Sequence, residues 1–417
     1  MVMNNKIINS KKIKYCRICG SESIKEILNL GKQPLANNLK KDINFKEQTF
    51  PLVICFCQNC KTVQLTETVD SKTLFSKYFW VTGTSNVAKK YSKLFFERSK
   101  KYLNSNNDFI LEIASNDGTF LKPFKEKGYR VLGIDPASNI AEIAINNGID
   151  TYIDFFGIKA AKKIFTDKGK ANLIFARNVI PHVENIKDVI EGVSLLLNDN
   201  GVGIIEFHRA DIILDELHYD SIYHEHLFYY SITSLTFLLS EFNLYPFDLD
   251  VSPISGGSFV IYFSKEIRKK SIFLKNEIKK ERNLGVDNQT KWELFAKNVH
   301  SHSKSLFKLI KDEKLNDKTI IGYGASARSS TLLNFCDFSD LNIKAIADKS
   351  DFKHGFFSPG TNIPIISPLE ALKLNPDVII LLAWNFKDEI INELKQIYKW
   401  SGKVIVPLPY EPKIIEI

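Results

Sequence analysis

What this chain of 417 residues lacks narrows its class before any motif is read. The longest apolar run, VIILLAW at 378–384, is far too short to cross a bilayer and reads as a buried strand. No apolar leader follows the polar opening MVMNNKIINSKK, so export through a secretory signal is not expected and the chain is assigned to the cytoplasm, away from membranes. Cysteine is almost missing after residue 61: five of the six precede it, a local use that does not suit a disulfide framework and points to metal. Also missing is an uninterrupted basic tract, because Glu and Asp are mixed through every Lys-rich stretch. The formal charge of +8 therefore suggests attraction to a small anion such as a nucleotide, or a plain compositional bias, and no nucleic-acid partner is expected. Apolar residues at 44% and charged residues at 25% exclude a disordered chain, and the length allows two to three domains.

The cysteines that are present fall into two pairs, Cys16-Arg17-Ile18-Cys19-Gly20 and Cys57-Gln58-Asn59-Cys60. Each C-x-x-C turn aims two thiolates at one point, and two turns complete the tetrahedral four-sulfur shell that Zn²⁺ prefers. Four protein ligands leave no open position, so Cys16, Cys19, Cys57 and Cys60 are expected to hold a structural zinc ion. Cys55 is spare by spacing and is expected to be a small buried residue.

The clearest α/β unit runs from Asp108 to Asp135, with FILEI as strand, ASNDG as turn, TFLKPFKEKG as helix and YRVLGID as second strand. Its first turn has no G-x-G-x-x-G spacing, which argues against NAD or FAD. An acidic residue closing the second strand, Asp135, would accept hydrogen bonds from ribose hydroxyls. Glu112 and the turn residues Ser115, Asn116, Asp117 and Gly118 would repel phosphate but suit a ligand with a cationic amine and a ribose. S-adenosylmethionine fits that description. ANLIFAR and GVGIIEF continue the sheet, and Asn178 and His182 fall just past a strand's carboxyl end, where open α/β sheets bind ligands. Asn178 is a candidate cofactor and substrate contact; His182 is either a local cap or a working group. LTFLLSEFNL and the strands after it read as a helix and a hairpin with Gly256-Gly257 in the turn.

The segment 266–315 is rich in Lys and Glu at helical spacing and reads as exposed connecting helices, with His300 and His302 on the surface. A second α/β unit closes the chain: KTIIGYGASARSSTLLNF as strand, turn and helix, then IKAIADKS ending near Asp348, VIILLAWNF and KVIVPLP. The turn Gly322 to Arg328 could offer N–H groups and a cation to phosphate, making Arg328 a candidate substrate contact; a tight turn without ligand is the alternative. The expected division is 1–75, 76–265, 266–315 and 316–417.

Tyr223-His224-Glu225-His226, inside SIYHEHLFYYS, packs ionisable and hydrogen-bonding side chains between apolar neighbours, as a reaction centre does. Two His and a Glu could equally bind a divalent metal, or one His could be satisfied in the core. With this motif the chain resembles the three-domain S-adenosylmethionine-dependent sugar C-methyltransferases that act on nucleotide-linked keto-deoxysugars. The resemblance is carried by CRICGS, LNLGKQPLANNL, CQNCKTVQL, LEIASNDGTFL, GIDPA, RNVIPHV, YHEHLFYYS, YGASARSSTLLNF and HGFFSPGTNIPI, over nearly the whole chain.

It implies an α/β architecture: a class I methyltransferase Rossmann-like domain between a small zinc-binding domain and a second Rossmann-like domain. It implies methylation at C3 of a nucleoside-diphosphate-linked 4-keto-6-deoxyhexose, with His226 as general base and Tyr223, Glu225, Tyr78 and His182 lining the sugar. A monomer is expected. The chain carries Tyr78-Phe79-Trp80 where the family commonly has Tyr-x-Tyr, and Ser326 and Arg328 where it usually has Pro and Lys.

The chemistry asks for such residues. Joining an electrophilic methyl to carbon needs a nucleophilic carbon, which a sugar offers only beside a ketone. A base must take the α proton, the task of His226, and donors such as Tyr223 and His224 must hold the enolate oxygen, while Glu225 orients an imidazole or holds the substrate. Sugar O-methylation needs a base but no ketone and is the nearest rival. A zinc-containing RNA methyltransferase and a noncatalytic nucleotide-sugar-binding protein are the alternatives of other classes.

Overall fold

The computed structural model describes residues 8–70, 74, 81–254, 257–311 and 318–417. Near the N-terminus, β1 (Ser10–Lys12), β2 (Ile24–Pro34), β3 (Thr49–Cys57), β4 (Val63–Leu65) and β5 (Glu67–Val69) form small antiparallel sheets: β2, β3 and β4 side by side, and β1 on β5.

The central sheet contains β6 (Phe109–Ile113), β7 (Arg130–Ile134), β8 (Thr151–Tyr152), β9 (Ala171–Arg177) and β10 (Leu197–Phe207), all parallel. A short β11 (Phe228–Tyr229) leaves this unit and pairs antiparallel with β4, so the zinc-side sheet gains its last strand from the residues that follow the YHEH motif. The hairpin β12 (Tyr245–Val251) and β13 (Phe259–Ser264) then adds to the edge of β10, giving the order β12-β13-β10-β9-β6-β7-β8. Every residue of β6 is buried, as the continuous apolar run FILEI requires of a strand covered on both faces. One face is covered by helix Asn86–Ser99, whose Tyr91, Phe95 and Phe96 meet Phe120, Phe124 and Phe175. Ser85 caps that helix by accepting the Ala88 N–H at 3.2 Å.

The C-terminal sheet has the order β16-β15-β14-β17-β18-β19, from β14 (Ile320–Tyr323), β15 (Ile343–Ala347), β16 (Ile365–Ile366), β17 (Val378–Leu381), β18 (Lys403–Val406) and an antiparallel β19 (Lys413–Glu416). In both large sheets the strand order reverses beside the first strand, between β6 and β9 and between β14 and β17, the place where open α/β sheets bind ligands.

The connecting helices are not the exposed spacers expected from their charge. Helix Gln289–Ile310 buries Trp292, Phe295, Val299, Leu306 and Ile310 along one face. His302, expected on the surface, is 1% exposed: its Nε2 donates to the Pro407 carbonyl at 2.7 Å and its Nδ1 accepts from the Tyr219 hydroxyl at 3.0 Å. A sparse apolar stripe among lysines was enough to bury this helix, and the two bonds satisfy an imidazole carried inward with it. His300 is exposed, as expected. Gly256 of the expected hairpin turn lies outside the described residues.

Candidate active site and zinc site

The two C-x-x-C turns are built alike. Gly20 N–H donates to Cys16 O at 2.9 Å and Lys61 N–H to Cys57 O at 3.0 Å, and both Gly20 and Lys61 have left-handed φ, 70° and 63°. They bring the four sulfurs within 4.8 Å of one another, with Cys16–Cys60 and Cys19–Cys57 both at 3.5 Å. Tetrahedral zinc–sulfur bonds require sulfurs roughly 3.8 Å apart, so the all-thiolate set fits a closed zinc site. Cys55 stays outside it, buried, with its thiol pushed up to about 12 by burial.

In the cofactor crevice, Ala114, Asn116 and Gly118 have φ of 54°, 51° and 76°, so alternate residues of the turn after β6 are left-handed without a glycine at the first two. The third must be glycine, because a Cβ there would lie 2.9 Å from Ile149. Asp135 locks the turn, accepting Asn116 N–H and Ala137 N–H, each at 2.8 Å.

Glu112 is 3% exposed and its Oε2 has no hydrogen-bond partner. Burial raises its pKa well above the ordinary value, with Asp117, Asp135 and Glu206 adding to that and Arg177 opposing it. The Ser115 hydroxyl is likewise buried and unpartnered. An acidic crevice with an orphaned carboxylate oxygen fits the sulfonium, amine and ribose of S-adenosylmethionine.

Asn116 and Asp117 were expected at the cofactor, but the structure gives their side chains other work: they accept Thr82 N–H and Gly83 N–H, both at 2.9 Å, tying residues 81–85 over the turn. Asn178, at φ 51° past β9, donates to Glu206 Oε1 at 3.0 Å.

The YHEH residues divide by direction. Tyr223 and His226 are partly exposed, whereas His224 and Glu225 are buried. His226 Nδ1 lies 2.9 Å from the Ser221 carbonyl, which only accepts, so Nδ1 carries the proton and Nε2 keeps its lone pair. Tyr223 Oη sits 2.7 Å from that Nε2 and donates to it. Burial holds the His226 pKa well below its ordinary value, and His182, with ring centroids 4.9 Å apart, pushes it further. His182 donates from Nδ1 to the Glu225 carbonyl at 2.7 Å, and burial lowers its pKa to about 4. The Glu225 carboxyl accepts from Asn37 Nδ2 at 2.6 Å and is pushed up to about 7 by burial.

Two candidate substrate contacts have other partners in the structure. His224 Nε2 lies 3.3 Å from both the Phe50 and Pro51 carbonyls, and its ring packs edge-on against Phe50, so it anchors the motif to the zinc-side sheet. Arg328, expected at phosphate, is engaged within the chain. It makes a two-point ion pair with Asp220, at 3.0 and 2.8 Å, and lies over Trp384, whose Nε1 donates to the same carboxylate at 2.8 Å. A buried acid at 1% exposure needs that compensation, and the cation is spent on it. Tyr78 lies outside the described residues.

Sequence reasoning missed Asn37, Asp220 and His208. Asn37 sits in the quoted LNLGKQPLANNL, yet nothing in that stretch announces a contact with residue 225. His208 follows β10 with Nε2 buried and unpartnered, its pKa held well down by burial and then by Arg328 and His218. Its place past a strand's carboxyl end was the available signal.

Family models match residues 16–75 (zinc-binding domain), 84–247 (methyltransferase domain) and 253–409 (C-methyltransferase C-terminal domain). The chain belongs to the S-adenosylmethionine-dependent C-methyltransferases with this three-part organisation, zinc-binding at the N-terminus. A full-length relative is C-methyltransferase NovU of Streptomyces niveus, 30% identical over 408 residues that cover 97% of each chain. Among solved structures, magnesium protoporphyrin IX methyltransferase (ChlM) from Synechocystis PCC 6803 with bound SAM overlaps 42% of this chain and 79% of its own, at 11% identity and TM-score 0.33. The PH0226 protein from Pyrococcus horikoshii OT3 overlaps 47% and 98%, at 14% identity and TM-score 0.36. No helix among the described residues is long and apolar enough to cross a membrane.

Proposed function

We propose that this C-methyltransferase acts on a nucleoside-diphosphate-linked 4-keto-6-deoxyhexose, placing the methyl at C3, with His226 as the base. The observation that carries the reading is the His226–Tyr223 pair: an imidazole fixed at Nδ1 by Ser221, kept neutral by desolvation and by the neighbouring His182, with its Nε2 lone pair 2.7 Å from a phenol. Such a pair does two jobs at adjacent atoms of an α-keto carbon. As the Tyr223 hydroxyl turns its proton toward the keto oxygen, Nε2 is freed to take the proton from C3. The C–H electron pair becomes the enolate, its charge held at oxygen by the phenol. S-adenosylmethionine supplies the electrophilic methyl when bound at the carboxyl ends of β6 and β7. His226 then releases its proton to solvent.

His182 lines the same crevice, fixed by the Glu225 carbonyl, and Glu225 faces the substrate through a carboxyl of nearly neutral pKa. The sugar lies between the cofactor crevice and the YHEH turn, and the enzyme works as a monomer in the cytoplasm. Oxygen methylation is the less favoured reading, because a base beside a hydroxyl donor suits enolisation and the full-length relative is a C-methyltransferase.

His226→Ala is expected to lower turnover about 10²–10⁴-fold while S-adenosylmethionine still binds. Unchanged turnover would remove His226 as the base. Incubation with 4-keto nucleotide sugars in deuterated buffer should give exchange at the carbon beside the ketone, and product NMR should place the methyl on C3. Absence of exchange during turnover would favour O-methylation.

A further inference from the structure

The YHEH turn is chemically part of the central unit but mechanically part of the zinc-side sheet. Immediately after His226, Leu227 O accepts from Leu65 N–H at 2.9 Å, and Phe228 and Tyr229 pair with Gln64 and Val63. Gln64, fully buried, donates from Nε2 to Cys16 Sγ at 3.1 Å, and its Oε1 accepts from Arg17 N–H, also at 3.1 Å. One side chain thus touches a zinc-ligand sulfur while its backbone holds the strand leaving the reaction centre. His224 makes the second attachment, at Phe50 and Pro51 on β3. Asn37 makes the third, and it alone reaches a site carboxyl: Nδ2 to Glu225 Oε1 at 2.6 Å. Asn37 is itself held by its neighbours, since Lys40, three residues on, exchanges backbone hydrogen bonds with Phe357 at 3.3 and 2.7 Å. The segment 35–40 therefore bridges the C-terminal unit and the site.

We propose that the zinc-binding unit is a working wall of the methyl-transfer site: Asn37 is a positioning residue that sets the ionisation and direction of Glu225, and Gln64 holds the YHEH turn to the zinc knuckle. This rests on the reading of YHEH as the reaction centre. The zinc-binding unit is thereby assigned a part in substrate chemistry, since its three attachments reach the YHEH turn and not the turn after β6. A donor to a carboxylate favours its charged form, so losing Asn37 shifts Glu225 toward the protonated state.

In the zinc-loaded full-length enzyme, Asn37→Ala is expected to lower kcat at pH 7 by about tenfold or more, the scale of one hydrogen bond to a charged group. It should move the acid limb of the kcat/KM profile to higher pH and leave S-adenosylmethionine affinity unchanged. Asn37→Asp should move the limb further the same way, through like-charge repulsion. A loss that comes only from misfolding does not displace the limb. Unchanged kcat and an unmoved profile in Asn37→Ala would overturn the proposal. Glu225→Gln separates the two readings: full activity in that variant removes the YHEH assignment itself, whereas an inactive Glu225→Gln beside a fully active Asn37→Ala removes only this inference. Independently, stripping zinc with a chelator should raise amide exchange at 223–230 while 109–135 stays protected; unchanged protection at 223–230 would sink the mechanical link to the knuckle.

Discussion

The central and C-terminal sheets build the same clamp and use it for opposite ends. After β6, Asp135 accepts Asn116 N–H and Ala137 N–H, each at 2.8 Å; after β14, Asp348 accepts Ala325 N–H at 2.7 Å and Ser350 N–H at 2.9 Å. In the central sheet no lysine or arginine salt-bridges this aspartate among the described residues, and an unpartnered Glu112 oxygen lies in the same acidic crevice, with Arg177 as its opposing charge. In the C-terminal sheet Lys353 Nζ neutralises Asp348 at 3.2 Å. The reversal point between β14 and β17 is filled from within: Asp220 lies against Arg328 and Trp384, and Thr331 Oγ1 donates to Ile222 O at 2.8 Å. One α/β crevice receives a ligand, while the other grips the segment that leads into Tyr223. A shared topology fixed where each crevice is, and the charges lining it fixed what it holds.

The comparison can be broken most severely at Asp220. Asp220→Ala strands a mostly buried guanidinium and is expected to cost about 3–5 kcal/mol of stability by denaturant unfolding, with methyl transfer lost before S-adenosylmethionine binding. A cost below about 1 kcal/mol would mean that the filled crevice is an incidental contact.

Acid separates the crevices next. His182 and His224, held near 4 by burial, have folded pKa values below the ordinary 6.5, so their contribution to stability is full above pH 6.5 and is lost as pH falls from there through about 4. Amide exchange at 180–186 and 223–230 should therefore rise between pH 7 and pH 5 ahead of that at 327–335, where Arg328 is held by its two-point ion pair with Asp220 and no histidine lies in the segment. Uniform loosening of both would remove the distinction.

The smallest effect is expected at Ala114. Ala114→Gly relieves a left-handed alanine, worth about 1–2 kcal/mol, but adds unfolded-chain entropy of about 0.5–1 kcal/mol, leaving net stabilisation of about 1 kcal/mol and S-adenosylmethionine affinity nearly unchanged. Marked loss of affinity would show that the alanine methyl itself contacts the cofactor.

Much of the fold was legible because buried parallel strands write themselves as apolar runs: FILEI, VIIL and KVIV each fall on a strand. Legibility failed where burial depends on a partner distant in the chain. Helix Gln289–Ile310 looked exposed because its surface is lysine-rich, and its buried stripe has meaning only against the sheets it covers. The turn after β6 was legible as a tight turn, but its left-handed Ala114 and Asn116 were not, because tertiary packing holds these non-glycine residues at positive φ. At the site, local spacing singled out the two cysteine pairs and YHEH but could not tell His224 from His226, since direction in a turn is set by what each ring finds to bond.

By itself the sequence determined the candidate metal-ligand set, the order of the three units and the residue types of the proposed reaction centre, because each is written in short-range spacing. Only the tertiary structure decided that strand 228–229 belongs to the zinc-side sheet, that Asn37 meets Glu225, and that Asp220 closes the C-terminal crevice. Those choices rest on hydrogen bonds and ion pairs between residues far apart in the chain, whose geometry exists only once the sheets have packed.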